Sequence, residues 1–124
     1  DLLPTFCDYA RADVPAGRLG ASLRPAAEGR ADVPWRESVF VESQNGCMIR
    51  TARHAYSIYD SGEHPEALYD HGVDPGEMTN VAYRQSHRDI VHRHRELMRA
   101  WVERTENTFA DSYAQPAGLA SLSG

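Results

Sequence analysis

Between residues 38 and 69 the chain falls into four short runs, each built from the residue types that suit a pleated surface. Ser38-Val39-Phe40-Val41-Glu42 is the first, by its β-branched and aromatic content. Asn45-Gly46 follows, a strong hairpin signal, and Cys47-Met48-Ile49-Arg50-Thr51 returns. Ala55 to Tyr59 is the third run. Side chains alternate along a strand, so Tyr56 and Ile58 share one face and Tyr59 takes the other. Ala67-Leu68-Tyr69 is a short fourth. Consecutive short strands usually become neighbours, which predicts a four-stranded antiparallel meander. So small a sheet is marginal in water unless one face is covered.

The cover is predicted downstream. Residues 70–85 are turn-rich, with Gly72, Asp74-Pro75-Gly76 and Thr79-Asn80. A helix is then expected from about His87 to Arg104, with Ser86 as N-cap and Asp89 completing a weak capping box. Ile90, Val91, Leu97, Met98, Trp101 and Val102 recur at helical spacing and form one stripe, with His94 inside it. Charged residues fill the other side. The stripe is wide enough to cover a sheet face.

The N-terminal part has a different character. Asp1 to Ala10 reads as a short helix with Asp1 at the N-cap and Pro4 in the first turn, where proline is tolerated. Leu2, Leu3, Phe6 and Cys7 lie on one side of it. Residues 12–34 carry three glycines and three prolines, so an irregular connection is expected, with one helical turn around Ser22 to Glu28. The reading is therefore α+β: residues 1–35 form a helix and a connection that dock on something else, 36–105 form a sheet-and-helix core, and 106–124 form a loosely held tail. The chain opens on Asp1 without a basic-then-apolar leader, and reads as a piece of a longer polypeptide.

Composition excludes some roles. Thirteen basic and eighteen acidic residues give a net charge of −5, the wrong sign for a protein that binds nucleic acid by neutralising phosphates. No apolar run approaches the roughly 20 residues a membrane helix needs, so neither nucleic acid nor membrane is an expected partner. Every basic residue is Arg, which leaves no lysine for Schiff-base or phosphate-cradling chemistry.

Reactive constellations are scarce. Cys7 lies on the apolar side of a helix and Cys47 opens a strand; both read as small hydrophobes, and a bridge between them stays open. Neither has the base and orienting group that a nucleophile needs. His92 and His94 are two apart and point to different helix faces; His87 and His94 are two turns apart. Asp70 to Glu77 carries several carboxylates but no side-chain oxygen at Gly72 or Pro75, so it fails a calcium-loop pattern. It reads as a double turn whose Asp side chains bind their own backbone. No catalytic residue and no metal ligand is assigned.

Several pieces taken in order resemble a known family. Asp1-Leu2-Leu3-Pro4-Thr5-Phe6, then Ala21-Ser22-Leu23-Arg24-Pro25 before Gly29, resemble a stretch late in type I sulfatases. Met48-Ile49-Arg50-Thr51, Arg53 and Tyr56 continue the likeness. Ala67-Leu68-Tyr69-Asp70 and Asp74-Pro75-Gly76-Glu77-Met78-Thr79-Asn80-Val81-Ala82 close it. The order and spacing cover roughly residues 1–104 and suggest the arylsulfatase, choline-sulfatase and N-sulfoglucosamine sulfohydrolase group of the alkaline-phosphatase superfamily. The resemblance implies a C-terminal subdomain that completes the fold and one wall of the substrate cleft, inactive alone. It also implies that the parent's catalytic domain carries a formylglycine made from Cys or Ser and a bound calcium. Neither cysteine here lies in the family's Cys/Ser-x-Pro-x-Arg motif. At His54-Ala55-Tyr56 the chain departs from the "YKY" of many relatives, removing a lysine from the cleft.

On this resemblance Arg50, Arg53 and His54 are the residues expected nearest the cleft, because an arginine fork suits sulfate or carboxylate. The plainer expectation is that both arginines pair with local acids. A sulfate-ester substrate and the parent's catalytic domain are the implied partners, and a homo-oligomer stays open. Two other readings remain: a non-enzymatic module for anionic glycans, and a phosphodiester or phosphonate ester hydrolase of the same superfamily.

Overall fold

A computed structural model gives the fold and describes residues 1–30 and 36–105. It divides into two compact units, Asp1–Arg36 and a second beginning at Glu37. The expected loose tail, 106–124, lies outside the described residues.

In the first unit, α1 (Leu2–Ala10) is followed by the four-residue α2 (Arg24–Ala27). The inward side of α1 is not its apolar side. Pro4 and Thr5 are buried, while Leu2 and Phe6 are 65% and 64% exposed. The reason is a polar stripe at i, i+4 and i+7. The Asp1 carboxylate accepts from Ala21 N at 2.9 Å and from Arg36 Nη2 at 2.5 Å. Thr5 Oγ1 accepts from Leu23 N at 2.8 Å, and Asp8 Oδ2 accepts from Ser22 Oγ at 2.7 Å. Arg24 reaches Asp8 at 3.2 Å and lies over the Tyr9 ring, 4.9 Å from its centroid. Asp1 thus stands at the N-cap position, but its side chain makes no capping bond; it is spent on holding the 21–24 segment. Gly20 permits that approach, since a Cβ there would lie 2.6 Å from Asp1 N.

In the second unit β1 (Ser38–Ser43), β2 (Gly46–Thr51), β3 (His54–Tyr59) and β4 (Glu66–Asp70) form an antiparallel sheet in chain order. The meander is as expected, with one shift at its first hairpin. Ser43 pairs with Gly46, so the turn residues are Gln44-Asn45 rather than Asn45-Gly46. Neither turn residue has positive φ, which the mirror-image turn favoured by Asn-Gly would require. Gly46 is needed instead for close packing, because a Cβ there would lie 2.3 Å from Ile58 O.

A 3₁₀ turn (Gln85–His87) leads into α3 (Arg88–Thr105). Ser86 is inside that turn, with its hydroxyl 2.9 Å from His87 Nδ1, so the N-cap predicted at Ser86 is replaced by a tighter entry one turn long. The stripe of α3 covers one sheet face. Cys47, Ile49, Tyr56, Ile58 and Leu68 from the sheet meet Val91, Met98 and Val102, with Val81 beside them. Phe40 stacks on Trp101, ring centroids 4.8 Å apart. No helix among the described residues is long and apolar enough to cross a membrane.

Two polar devices close the side of the sheet beyond β4. Asn80 Oδ1 accepts from Leu68 N at 3.0 Å and from Ala82 N at 2.9 Å, while Nδ2 donates to Glu66 O at 2.9 Å. One amide side chain so substitutes for a missing strand. Buried Glu66 receives a two-pronged grip from Arg95 of α3, at 2.7 and 2.5 Å, and a hydrogen bond from the Tyr56 hydroxyl. Burial and the neighbouring carboxylate hold the Tyr56 phenol protonated, its pKa well above the usual range.

Candidate functional site

The β2–β3 connection and the loop after β4 assemble the polar residues at one end of the sheet. Thr51 sets the connection: its Oγ1 accepts from His54 N at 3.1 Å and donates to His54 O at 3.2 Å. This tight loop places Arg53 beside Asp70, which opens the next loop. Arg53 Nε and Nη2 each donate to Asp70, both at 2.7 Å. Such a fork is the strong form of arginine–carboxylate pairing. It holds the Asp70 carboxyl well below the usual carboxylate range, and the backbone N–H of Gly72, 2.9 Å from Oδ1, acts in the same direction.

The loop itself is a double turn whose Asp side chains bind its own backbone, as the residue types indicated: Asp70 accepts from Gly72 N, and backbone turns close on Asp70 O and Asp74 O. Asp74 accepts from Met78 N at 3.1 Å and from Thr79 N at 2.8 Å. This folds Glu77 into a left-handed conformation, φ 54°, which a non-glycine residue adopts at a cost. Its carboxylate is thereby turned back toward the sheet. Glu77 Oε1 lies 2.6 Å from His71 Nε2 and 3.6 Å from Arg50 Nη1. Arg50 Nη1 is also 3.0 Å from His71 Nε2, and His71 Nδ1 faces Arg53 O at 3.2 Å.

The three residues singled out from the sequence therefore occupy three settings. Arg50 lies on the sheet face opposite α3, half exposed, with His71 and Glu77. Arg53 has its side chain 62% exposed, yet its fork grips Asp70. His54 points to the α3 side, its Nε2 shielded from solvent and without a hydrogen-bond partner. Asp70 Oδ2, at 3.9 Å, is the acid nearest that nitrogen. His71, Glu77 and Asp70 complete the surroundings of the two arginines. The positions of His71 and Glu77 were not legible because they come from an aperiodic loop, where only tertiary pairing decides which side chains meet, and Asp70 is the last residue of β4, past the strand predicted at Ala67–Tyr69.

The described residues do not suit a metal. None form a group of three or more His, Cys, Asp or Glu side chains able to hold an ion. Asp70 and Asp74 spend their oxygens on Arg53 and on backbone N–H groups. Both cysteines are free thiols, and burial pushes the Cys47 thiol up, away from the reactive thiolate.

Comparison with known proteins places this arrangement. No family model matches the chain. The Delta 4,5-hexuronate-2-O-sulfatase of Bacteroides thetaiotaomicron is 33% identical over 117 residues, 88% of this chain. A solved 2-O GAG sulfatase superposes with a TM-score of 0.80 and 33% identity over 90% of this chain. The chain is a relative of the sulfatases. The sulfatase likeness has a neighbour in a phosphonate monoester hydrolase from Silicibacter pomeroyi, with a TM-score of 0.75 and 25% identity over 88% of this chain. This sulfatase relative spans about a quarter of the length of the proteins it matches: 24% of the first, 26% of the second and 25% of the third. Such a match, most of this chain against a small part of each relative, is that of a sulfatase subdomain.

Proposed function

We propose that the chain is the C-terminal subdomain of a sulfuric ester hydrolase, and that it completes the fold and one wall of the substrate cleft without turnover of its own. The observation that carries this is the likeness in both sequence and fold over about nine-tenths of the chain, against about a quarter of each relative. The apolar side of α1 supports a docking role toward a catalytic domain, since Leu2, Leu3, Phe6 and Tyr9 are all exposed.

In this reading calcium and formylglycine belong to that catalytic domain, because the residues described here fit neither. Arg50 is the best placed of the cleft candidates, standing on the open sheet face as a cation for a sulfate or carboxylate group. Arg53 contributes by fixing the β2–β3 loop to Asp70, and His54 by filling the space beneath it. The hexuronate sulfatase among the relatives favours an anionic sugar sulfate as substrate. The phosphonate monoester hydrolase among them favours a second reading, in which the same wall serves a phosphonate or phosphodiester.

The test is an assay of two proteins, this chain alone and the full product of the gene that encodes it, on an aryl sulfate and an aryl phosphonate. The chain alone is expected to turn over neither, and the full product to turn over the sulfate faster. Hydrolysis by the chain alone overturns the proposal; a preference of the full product for the phosphonate selects the second reading.

A further inference from the structure

Two histidines meet beneath α3 at the same end of the sheet. His94 projects from the middle of α3 and is only 3% exposed. His54 opens β3 on the same face. Their rings stand edge to face, centroids 5.5 Å apart.

The hydrogen bonds say which protons they carry. His94 Nδ1 is 2.7 Å from Ile90 O. A carbonyl only accepts, so Nδ1 holds the proton and Nε2 turns its lone pair toward Thr51 Oγ1, at 3.5 Å. A second proton on His94 would sit on Nε2, 3.5 Å from the Thr51 hydroxyl oxygen, which keeps one lone pair beside its two bonds to the His54 backbone but is too far away for a good hydrogen bond. A proton on His54 Nε2 would find no acceptor at hydrogen-bond distance; Asp70 Oδ2, 3.9 Å away, could oppose it only as an ion pair while gripped by Arg53.

The charges around the pair do not compensate. From the β2–β3 loop Arg53 faces His54, and from β4 Asp70 does so, with its oxygens committed to Arg53. From the turn before α3 comes His87, and from α3 itself Arg93 faces His94. From β3 the Tyr56 ring lies 6.1 Å from that of His94. One carboxylate stands against several cationic or protonatable groups. Burial pushes both imidazoles below their ordinary value of 6.5, although Asp70 opposes the shift at His54 and the Ile90 carbonyl opposes it at His94.

We propose that His54 and His94 form an acid-sensitive latch, which seats α3 on the sheet while both rings are neutral and loosens it when they take up protons. The sign follows from linkage. Once α3 lifts, both histidines return to water and titrate near 6.5. Below that pH the open form binds more protons than the closed form, so acid favours opening; above it the two forms bind equally and pH has no effect through this pair. Each histidine shifts the equilibrium by up to about 10-fold per pH unit below 6.5, and the two together by up to about 100-fold. The latch is independent of the sulfatase reading, since it uses only the contact between α3 and the sheet.

The experiment follows amide protection of residues 88–105 in this chain by hydrogen exchange between pH 7.5 and 5, corrected for intrinsic exchange. A parallel series uses the double variant His54→Gln with His94→Gln. The parent chain is expected to lose α3 protection below pH 6.5 and the variant to show a nearly flat profile. Equal slopes in the two proteins, or no loss in the parent, would overturn the latch. Should the variant not fold, histidine ring NMR on the parent chain decides. Two of its six rings are then expected to titrate below the others, and titration of all six together sinks the proposal.

Discussion

Asp70 shows how one side chain organises an end of the molecule. It is buried at the close of β4, it receives both prongs of Arg53, and it turns the chain by accepting from Gly72 N. Because its pKa in the fold lies below the ordinary 3.8, the unfolded chain takes up a proton first as the medium is acidified. The stabilisation is therefore complete above about pH 4 and is lost as the pH falls below that range. Asp70→Asn is expected to be less stable than the parent at pH 7, with the gap narrowing between pH 4 and pH 2. Urea midpoints measured across that interval check it; a constant gap would show that the ionised carboxylate is not what matters. His54, one step from Arg53 in sequence, acts in the same direction although through its neutral form: burial favours the unprotonated ring, so its contribution is also lost on acidification, at a higher pH than that of Asp70.

Among the elements, β4 is the strand whose neighbour is improvised. Asn80 gives three hydrogen bonds to a segment that cannot pair as a strand, and Val81 N adds a backbone bond to Leu68 O at 2.9 Å. Asn80→Ala leaves the buried Leu68 N without a partner, so a loss of about 2 kcal/mol is expected, measurable by urea denaturation. A change below about 0.5 kcal/mol would mean that water replaces the amide without penalty. The four strands and the α3 stripe were legible in the sequence because burial imposes a period, two on the strands and 3.6 on the helix. Features decided by polar pairing were not. The Asp1, Thr5 and Asp8 stripe resembles a solvated helix face until the 21–24 segment is laid against it. Gly46 looked like a turn residue, whereas its task is to let the β2 backbone approach Ile58. Arg50, Arg53 and His54 fall within five residues of one another, but alternation and the loop send them to different surroundings.

At the scale of the molecule, two apolar surfaces among the described residues are in contact with water. One is the outer side of α1, with Leu2, Leu3, Phe6 and Tyr9; the other is the sheet face opposite α3, where Val39, Val41 and Tyr59 are each close to half exposed. Grouped apolar side chains of this size on a small protein promote association, because joining two such patches removes area worth roughly 25 cal/mol per Å². The chain in isolation is expected to associate as its concentration rises, and Leu2→Ser with Phe6→Ser to reduce that association. Neither side chain hydrogen-bonds the 21–24 segment, so the substitutions should leave the fold intact, which circular dichroism would verify. Light scattering across a concentration series reads the outcome. A parent chain that stays monomeric throughout would mean that α1 needs no cover. The docking role proposed for it would then lose its physical motive, while the acid latch under α3 would stand unaffected.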